Sequence, residues 1–270
     1  MFPTRRLVPF AALLGLCLFL SACATVPVTG RRQLNFIPDS QINAMSFQQY
    51  DEVIAQSTLS DHAEWTAGIE RVGRRIQGAV EEYFRRQGQS GELAGYEWEF
   101  NLIESKEANA WCMPGGKVAF YTGILPICKD ETGVAVVMGH EVAHAIAKHG
   151  SERMSQGLVL QMGGMALSEA VKNKPAQTRN LFMTAFAVGA QFGAVLPYSR
   201  SHESEADRMG LIFMALAGYD PREAPAFWER MAAEGGGSPP EFMSTHPSHE
   251  TRIRELHENM AEAMGYYQPR

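Results

Sequence analysis

The segment VVMGHEVAHAIAKHG, residues 136–150, carries two imidazoles four positions apart, His140 and His144, with a carboxylate, Glu141, directly after the first. Its neighbours are Val, Ala, Met and Ile, so the three polar groups sit in an apolar helix. Positions four apart on a helix share a face about one turn apart, and two ring nitrogens on one face can reach one cation. Zn²⁺ suits such a set, because it accepts imidazole and carboxylate donors without imposing a rigid geometry. Glu141 is turned about 100° from His140 on the helix. It therefore reaches a water activated by the metal rather than the metal itself, which is the place of a general base. Three fixed letters in five residues also arise by chance, so this reading needs a third ligand from another element.

The segment YSRSHESEADRMG, residues 198–210, offers Glu203, Glu205 and Asp207. Glu203 and Asp207 share a helical face. The first is expected to bind the metal, and the second to accept a ring N–H from a ligand histidine and so fix its tautomer. Glu205 points about 200° away from Glu203 and is expected to be solvated. A run of acids on a helix is ordinarily a surface face; two metal-competent histidines some way before it reverse that preference.

These side chains need elements to hold them. Helix is expected from the Pro38-Asp39-Ser40 start signal to about Thr58. Ile69, Val72, Ile76, Val80 and Phe84 mark one face of a second helix within residues 62–88. Residues 96–102, YEWEFNL, alternate as a strand, and NAWCMPGGKVAFYTG, 109–123, reads as strand, Pro-Gly-Gly turn and strand. The site helix begins near Asp130. Residues 151–197 are rich in Ala, Gly and Met; the apolar stretch 181–198 is interrupted by Thr184, Gln191 and glycines, and core helices are expected there rather than a membrane span. Further helices are expected over 201–217, 221–234 and 248–264, the last two separated by a Gly/Pro-rich loop. Helices, a short sheet and helices again give an α+β fold in one domain over 39–270.

Composition is that of a globular protein: 270 residues, 45% hydrophobic and 20% charged, with a formal net charge of −6. The acidic balance gives no support to nucleic-acid binding, which needs a basic patch. Arg5 and Arg6 precede a short apolar run that ends in LSAC, Leu20 to Cys23. The run is too short to span a bilayer, for which about 20 residues are needed. It resembles a bacterial lipoprotein signal over 1–22, with Cys23 acylated after cleavage and residues 23–38 serving as a tether. By the same resemblance, Ala24 after the Cys favours the outer membrane, with the domain facing the periplasm of a Gram-negative bacterium. Cys112 and Cys128 remain as an even pair in an oxidising compartment, so a disulfide between them is one expectation and two buried thiols the other.

ANAWCMPGGKV, HEVAH, SRSHESEAD and STHPSHETR, in that order over residues 108–252, resemble the gluzincin metallopeptidases related to the HtpX heat-shock protease and the CAAX prenyl proteases. The similarity covers roughly residues 40–260 and is greatest to soluble bacterial lipoprotein and periplasmic members of the LoiP and BepA type, without the helical-repeat domain of the latter. It implies a mainly helical zincin domain with a small antiparallel sheet, and one Zn²⁺ held by His140, His144 and Glu203. Glu141 would be the base, and Asp207 would orient a ligand. Asn109 and Ala110 would belong to an edge strand that pairs with substrate backbone, a mode that tolerates many sequences. His246 matches a family histidine expected to stabilise the oxyanion. As a neutral imidazole just beyond a Gly/Pro-rich loop, it is equally able to fill the fourth zinc position.

The implied activity is a zinc-dependent endopeptidase, lipid-anchored to the outer membrane, acting on unfolded or misassembled envelope proteins. The rival is an envelope assembly factor or chaperone-like lipoprotein with a latent or structural zinc site. Such a site would be closed by four protein ligands and would have no use for Glu141. The sequence sets neither the oligomeric state nor the cleavage preference.

Overall fold

The structure is a computed structural model that describes residues 23–234, 242, 243, 246 and 251–269. The leader expected over 1–22, and His249, lie outside the described residues. Strands β1 (Cys23–Thr25) and β2 (Arg32–Leu34) pair antiparallel as a hairpin. The segment expected to be a tether is therefore folded against the domain. Val26 is fully buried, and the Phe36 N–H donates to Ser155 Oγ at 3.0 Å.

Helices α1 (Asp39–Gln56) and α2 (Ala63–Arg86) follow. α2 buries Ile69, Val72, Ile76, Val80 and Phe84, the face that its spacing of three and four residues marks out. Each such side chain contributes about 1.5–3 kcal/mol on burial, which fixes α2 against the sheet and the site helix.

The sheet contains β3 (Glu99–Ile103), β4 (Ala110–Met113) and β5 (Lys117–Tyr121) in the order β3-β5-β4. β4 is antiparallel to β5, but β3 is parallel to it, so the sheet expected to be antiparallel is mixed. β4 and β5 are joined by the Pro114-Gly115-Gly116 turn. Its glycines sit at φ +83° and +88°, in the left-handed region that favours glycine. They send β5 straight back between β4 and β3, which leaves β4 with an open edge.

After the short α3 (Leu125–Cys128), α4 (Glu131–Ile146) carries the HEVAH segment. Asp130 caps it: Oδ1 accepts from the N–H groups of Thr132 at 2.8 Å and Gly133 at 3.1 Å. Every residue from Gly133 to Ile146 is buried, which explains why the helix is apolar all round except for its functional groups. Lys148, in a left-handed conformation at φ 57°, ends this helical direction, and its Nζ pairs with Asp39 at 2.7 Å.

The chain continues through α5 (His149–Val171), α6 (Ala176–Ala190), a π-helical turn over Gln191–Val195, α7 (Leu196–Leu216), α8 (Glu223–Glu234) and α9 (Arg252–Met264). α7 crosses α4 where Gly139 and Gly210 let the two backbones touch. This crossing brings the acidic motif to the histidines.

α5 and α6 are not core helices, contrary to expectation. They pack on each other, and Met162, Met165 and Leu181 remain 65%, 60% and 69% exposed. The helical run from Ala176 to Leu216 includes a stretch long and apolar enough to cross a membrane, and none of that stretch is buried within the domain.

Candidate metal centre

His140 and His144 project from one face of α4, and their Nε2 atoms lie 3.1 Å apart. Glu203, from α7, faces both: Oε2 is 3.3 Å from His140 Nε2 and Oε1 is 3.5 Å from His144 Nε2. His246 completes the group, with Nδ1 3.2 Å from Glu203 Oε2 and 3.3 Å from His140 Nε2. One donor atom from each of these four residues lies within 4.8 Å of all the others.

The tautomers follow from the outer nitrogens. His140 Nδ1 lies 2.9 Å from Asp207 Oδ1, a carboxylate oxygen that only accepts. The proton is therefore on Nδ1, and Nε2 presents its lone pair inward. Asp207 is itself held by Arg252, whose Nη2 donates to Oδ1 at 2.7 Å, while the guanidinium lies 3.3 Å from the Trp228 ring centroid. Burial would push the Asp207 carboxyl up, but Arg252 and His140 outweigh it and hold it below the usual range.

Burial would likewise raise Glu203, yet the three histidines around it hold it far below the carboxylate range. Burial drives the His144 imidazole well below its usual value, so the ring is neutral. Buried lone pairs and a carboxylate converging on one point fit a divalent cation, and the imidazole and carboxylate donors suit zinc. His140, His144 and Glu203 would hold it, with His246 at the remaining position.

Glu141 is buried beside this set and outside it. Its Oε1 has no hydrogen-bond partner, and His246 Nε2 stands 3.3 Å away without hydrogen-bond geometry. Burial pushes its carboxyl up to about 7, against the opposing influence of His246. A carboxyl so placed exchanges protons near neutrality, as a general base requires.

Glu141, His144 and His246 open onto a cleft of about 300 Å³ whose other wall runs from Asn109 to Pro114. This wall is the free edge of β4. Asn109 contributes its carbonyl to Tyr121 N–H on the β5 side, while its side-chain Oδ1 accepts from Ala110 N–H at 2.9 Å. The Cys112 backbone N–H faces Glu141 and opposes the upward push of burial on its carboxyl.

With this geometry in place, comparison with known proteins is informative. The model of Peptidase family M48 matches residues 71–260, more than half of the chain. This chain belongs to peptidase family M48. It is 35% identical over 243 residues to the mitochondrial metalloendopeptidase OMA1 of Schizosaccharomyces pombe, covering 88% of this chain and 66% of that protein. It is 36% identical over 178 residues to the OMA1 of Arabidopsis thaliana, covering 65% and 34%. The beta-barrel assembly-enhancing protease of Escherichia coli is 28% identical over 163 residues, covering 58% and 33%. The chain thus spans about one third to two thirds of the length of these relatives.

Within this M48 domain, all six residues expected around the metal come together: His140, Glu141, His144, Glu203, Asp207 and His246. Cys112 and Cys128 do not. Both are free thiols, so the expected bridge is corrected. Cys112 lines the cleft on β4, whereas Cys128 is buried at the end of α3 beside Arg230. A disulfide needs convergent Cβ vectors, and closeness in sequence does not supply them.

Glu205 is corrected too. It is buried rather than solvated, bonded to His149 Nε2 at 2.9 Å and to Arg31 Nε at 2.8 Å. His149 is not among the donors, but its Nδ1 lies 2.8 Å from His144 Nδ1. The left-handed Lys148 starts a new helix there, which turns His149 back toward His144. His202, given no role by the sequence reading, pairs with Glu152 at 2.9 Å. Arg252 lay within a motif already singled out by resemblance, which was the available signal for it.

Proposed function

We propose that this chain is a zinc-dependent endopeptidase acting on unfolded or misassembled cell-envelope proteins. The observation that carries the reading is the buried Glu141 carboxylate, whose Oε1 accepts no hydrogen bond, set between a convergent His140–His144–Glu203 donor set and an open strand edge. Zinc bound there would supply Lewis acidity toward a carbonyl oxygen and lower the pKa of an adjacent water. Glu141 takes the proton of the attacking water at Oε1 and passes it to the leaving amine. Asp207, braced by Arg252, keeps the His140 ring in its ligand tautomer. The β4 edge binds extended backbone by strand addition.

His246 supports a second feature. Its Nδ1 stands among the donors, which is a resting arrangement with four protein groups and therefore latent. A four-donor set is also what a structural site in an assembly factor would show; the buried Glu141 favours the peptidase.

Attachment to the outer membrane through Cys23, on the periplasmic side, is part of the proposal. It is supported by the apolar leader ending in LSAC. The exposed apolar faces of α5 and α6 add to this attachment. β2 packs against α5 and Phe36 is bonded to Ser155, so the segment that starts at Cys23 lies against that helix pair.

The test is to incubate the purified chain with unfolded proteins, with and without a chelator, and then restore zinc. Cleavage that chelation abolishes and zinc restores is expected; cleavage indifferent to chelator, or none after zinc is restored, would reject the proposal.

A further inference from the structure

Behind the metal centre, two buried carboxylates outside the donor set share one guanidinium. Arg31, at the end of the β1–β2 turn, meets Glu152 of α5 with Nη1 at 3.0 Å and Nη2 at 2.7 Å, and Glu205 of α7 with Nε at 2.8 Å. The Thr29 hydroxyl also donates to Glu205. Each carboxylate holds one imidazole, His202 on Glu152 and His149 on Glu205, both at 2.9 Å. The two rings stack with centroids 4.1 Å apart and an interplanar angle of 12°.

The direction of the donor chain follows from counting protons. Glu205 Oε2 accepts from Arg31 and from His149, so the His149 proton is on Nε2. His149 Nδ1 is then an acceptor, and at 2.8 Å its partner must be the N–H at His144 Nδ1. The His144 proton is thereby kept on the outer nitrogen, and Nε2 faces His140 and Glu203 with its lone pair free. His140 is oriented by a carboxylate directly; His144 is oriented by a carboxylate through a second imidazole. The anchor of that relay, Arg31, belongs to the N-terminal hairpin rather than to either site helix.

We propose that Arg31 is a positioning residue for His144, and that the β1–β2 hairpin thereby sets the metal affinity of the centre. The inference rests on the reading of His144 as a ligand. Without the guanidinium, only the Thr29 hydroxyl still holds Glu205 besides His149, so the carboxylate at the head of the relay is no longer fixed in line with His149 Nε2 and the bias of His144 toward the tautomer that leaves Nε2 free is weakened. Groups that orient metal ligands in this way typically account for 10- to 100-fold in metal affinity.

The experiment measures zinc affinity of the full chain by competition with a chromogenic chelator, for wild type, Arg31→Ala, His149→Phe and the double variant. The melting temperature of each metal-free protein is recorded alongside, and Arg85→Ala, at an exposed ion pair on α2, serves as control. The expected result is a loss of about 10- to 100-fold in zinc affinity for Arg31→Ala. Little further loss is expected once His149 is gone, because the two residues act in series. Equal affinity for Arg31→Ala and wild type, or additive losses in the double variant, would overturn the inference while leaving the metal centre standing. If Arg31→Ala does not fold, Arg31→Lys replaces it; it keeps a cation at Glu205 but cannot span both carboxylates, and the same cycle decides. A wild-type chain that binds no zinc would instead reject the reading of the centre, and this inference with it.

Discussion

The crossing of α4 and α7 sets the distance between the histidines and Glu203, and Gly210→Ala perturbs it at one point. A Cβ at Gly210 would lie 2.9 Å from the His140 backbone nitrogen and 3.0 Å from the Gly139 carbonyl carbon. Both neighbours are main chain of a buried helix and cannot rotate aside. Restoring the 3.4 Å at which ordinary contact begins requires the helices to part by about 0.5 Å. α7 is continuous from Leu196 to Leu216, so the displacement carries Glu203, two turns earlier, away from His140 and His144.

Overpacking of this kind costs about 1–3 kcal/mol, and alanine in place of glycine in a helix returns about 1 kcal/mol. The net loss of stability is therefore small, about 0–2 kcal/mol by the same estimates. The catalytic loss is not small, since a 1 Å misplacement is worth about 10²-fold in rate, and half of that about tenfold. The assay pairs steady-state cleavage of an unfolded protein with a thermal melt, using Gly157→Ala as reference, because a Cβ there meets nothing within 4 Å. Gly157→Ala should be neutral or slightly stabilising with unchanged kinetics. A Gly210→Ala protein that cleaves and binds zinc like wild type would refute the argument that this contact sets the ligand geometry.

Three further outcomes are expected. His246→Ala should raise the basal rate of cleavage, because Nδ1 stands among the donors; a fall of about 10²- to 10³-fold would assign His246 to oxyanion stabilisation instead. Cys23→Ser should shift the protein from membrane to soluble fractions, and unchanged partition would assign the attachment to the apolar faces of α5 and α6. Burial raises Glu152, but His202 and Arg31 outweigh it and hold its carboxyl at about 2. Its contribution is thus present above the usual carboxylate range and lost as pH falls toward 2, so the stability gap between wild type and Glu152→Gln should narrow over that window. A gap independent of pH, read from denaturant melts, would contradict the pairing.

How much of this was legible in the sequence depends on how far apart the partners lie. His140, Glu141 and His144 were legible because one helix holds all three, and helical spacing turns sequence distance directly into geometry. Glu203 and Asp207 were legible for the same reason once a metal was assumed. The Pro-Gly-Gly turn marked the edge strand, although not the parallel pairing of β3, which depends on where β5 inserts.

Arg31 and Glu205 are 174 positions apart and Arg252 and Asp207 are 45 apart, and no local period announces such contacts. Glu205 was expected in water because it points about 200° away from Glu203 on the helix, whereas the N-terminal hairpin covers it. His149 reaches His144 because one left-handed residue, Lys148, breaks the helical run between them. The apolar α5 and α6 resembled core helices, since composition alone does not distinguish an apolar face that meets protein from one that meets something else.

The central claim is that Glu141 is a base beside the metal and not a ligand to it. The most direct test substitutes Glu141→Gln and measures bound zinc and cleavage of an unfolded protein on the same preparation. Full zinc occupancy with cleavage reduced by about 10²- to 10⁴-fold is the predicted result; loss of the zinc, or cleavage at the wild-type rate, would contradict it.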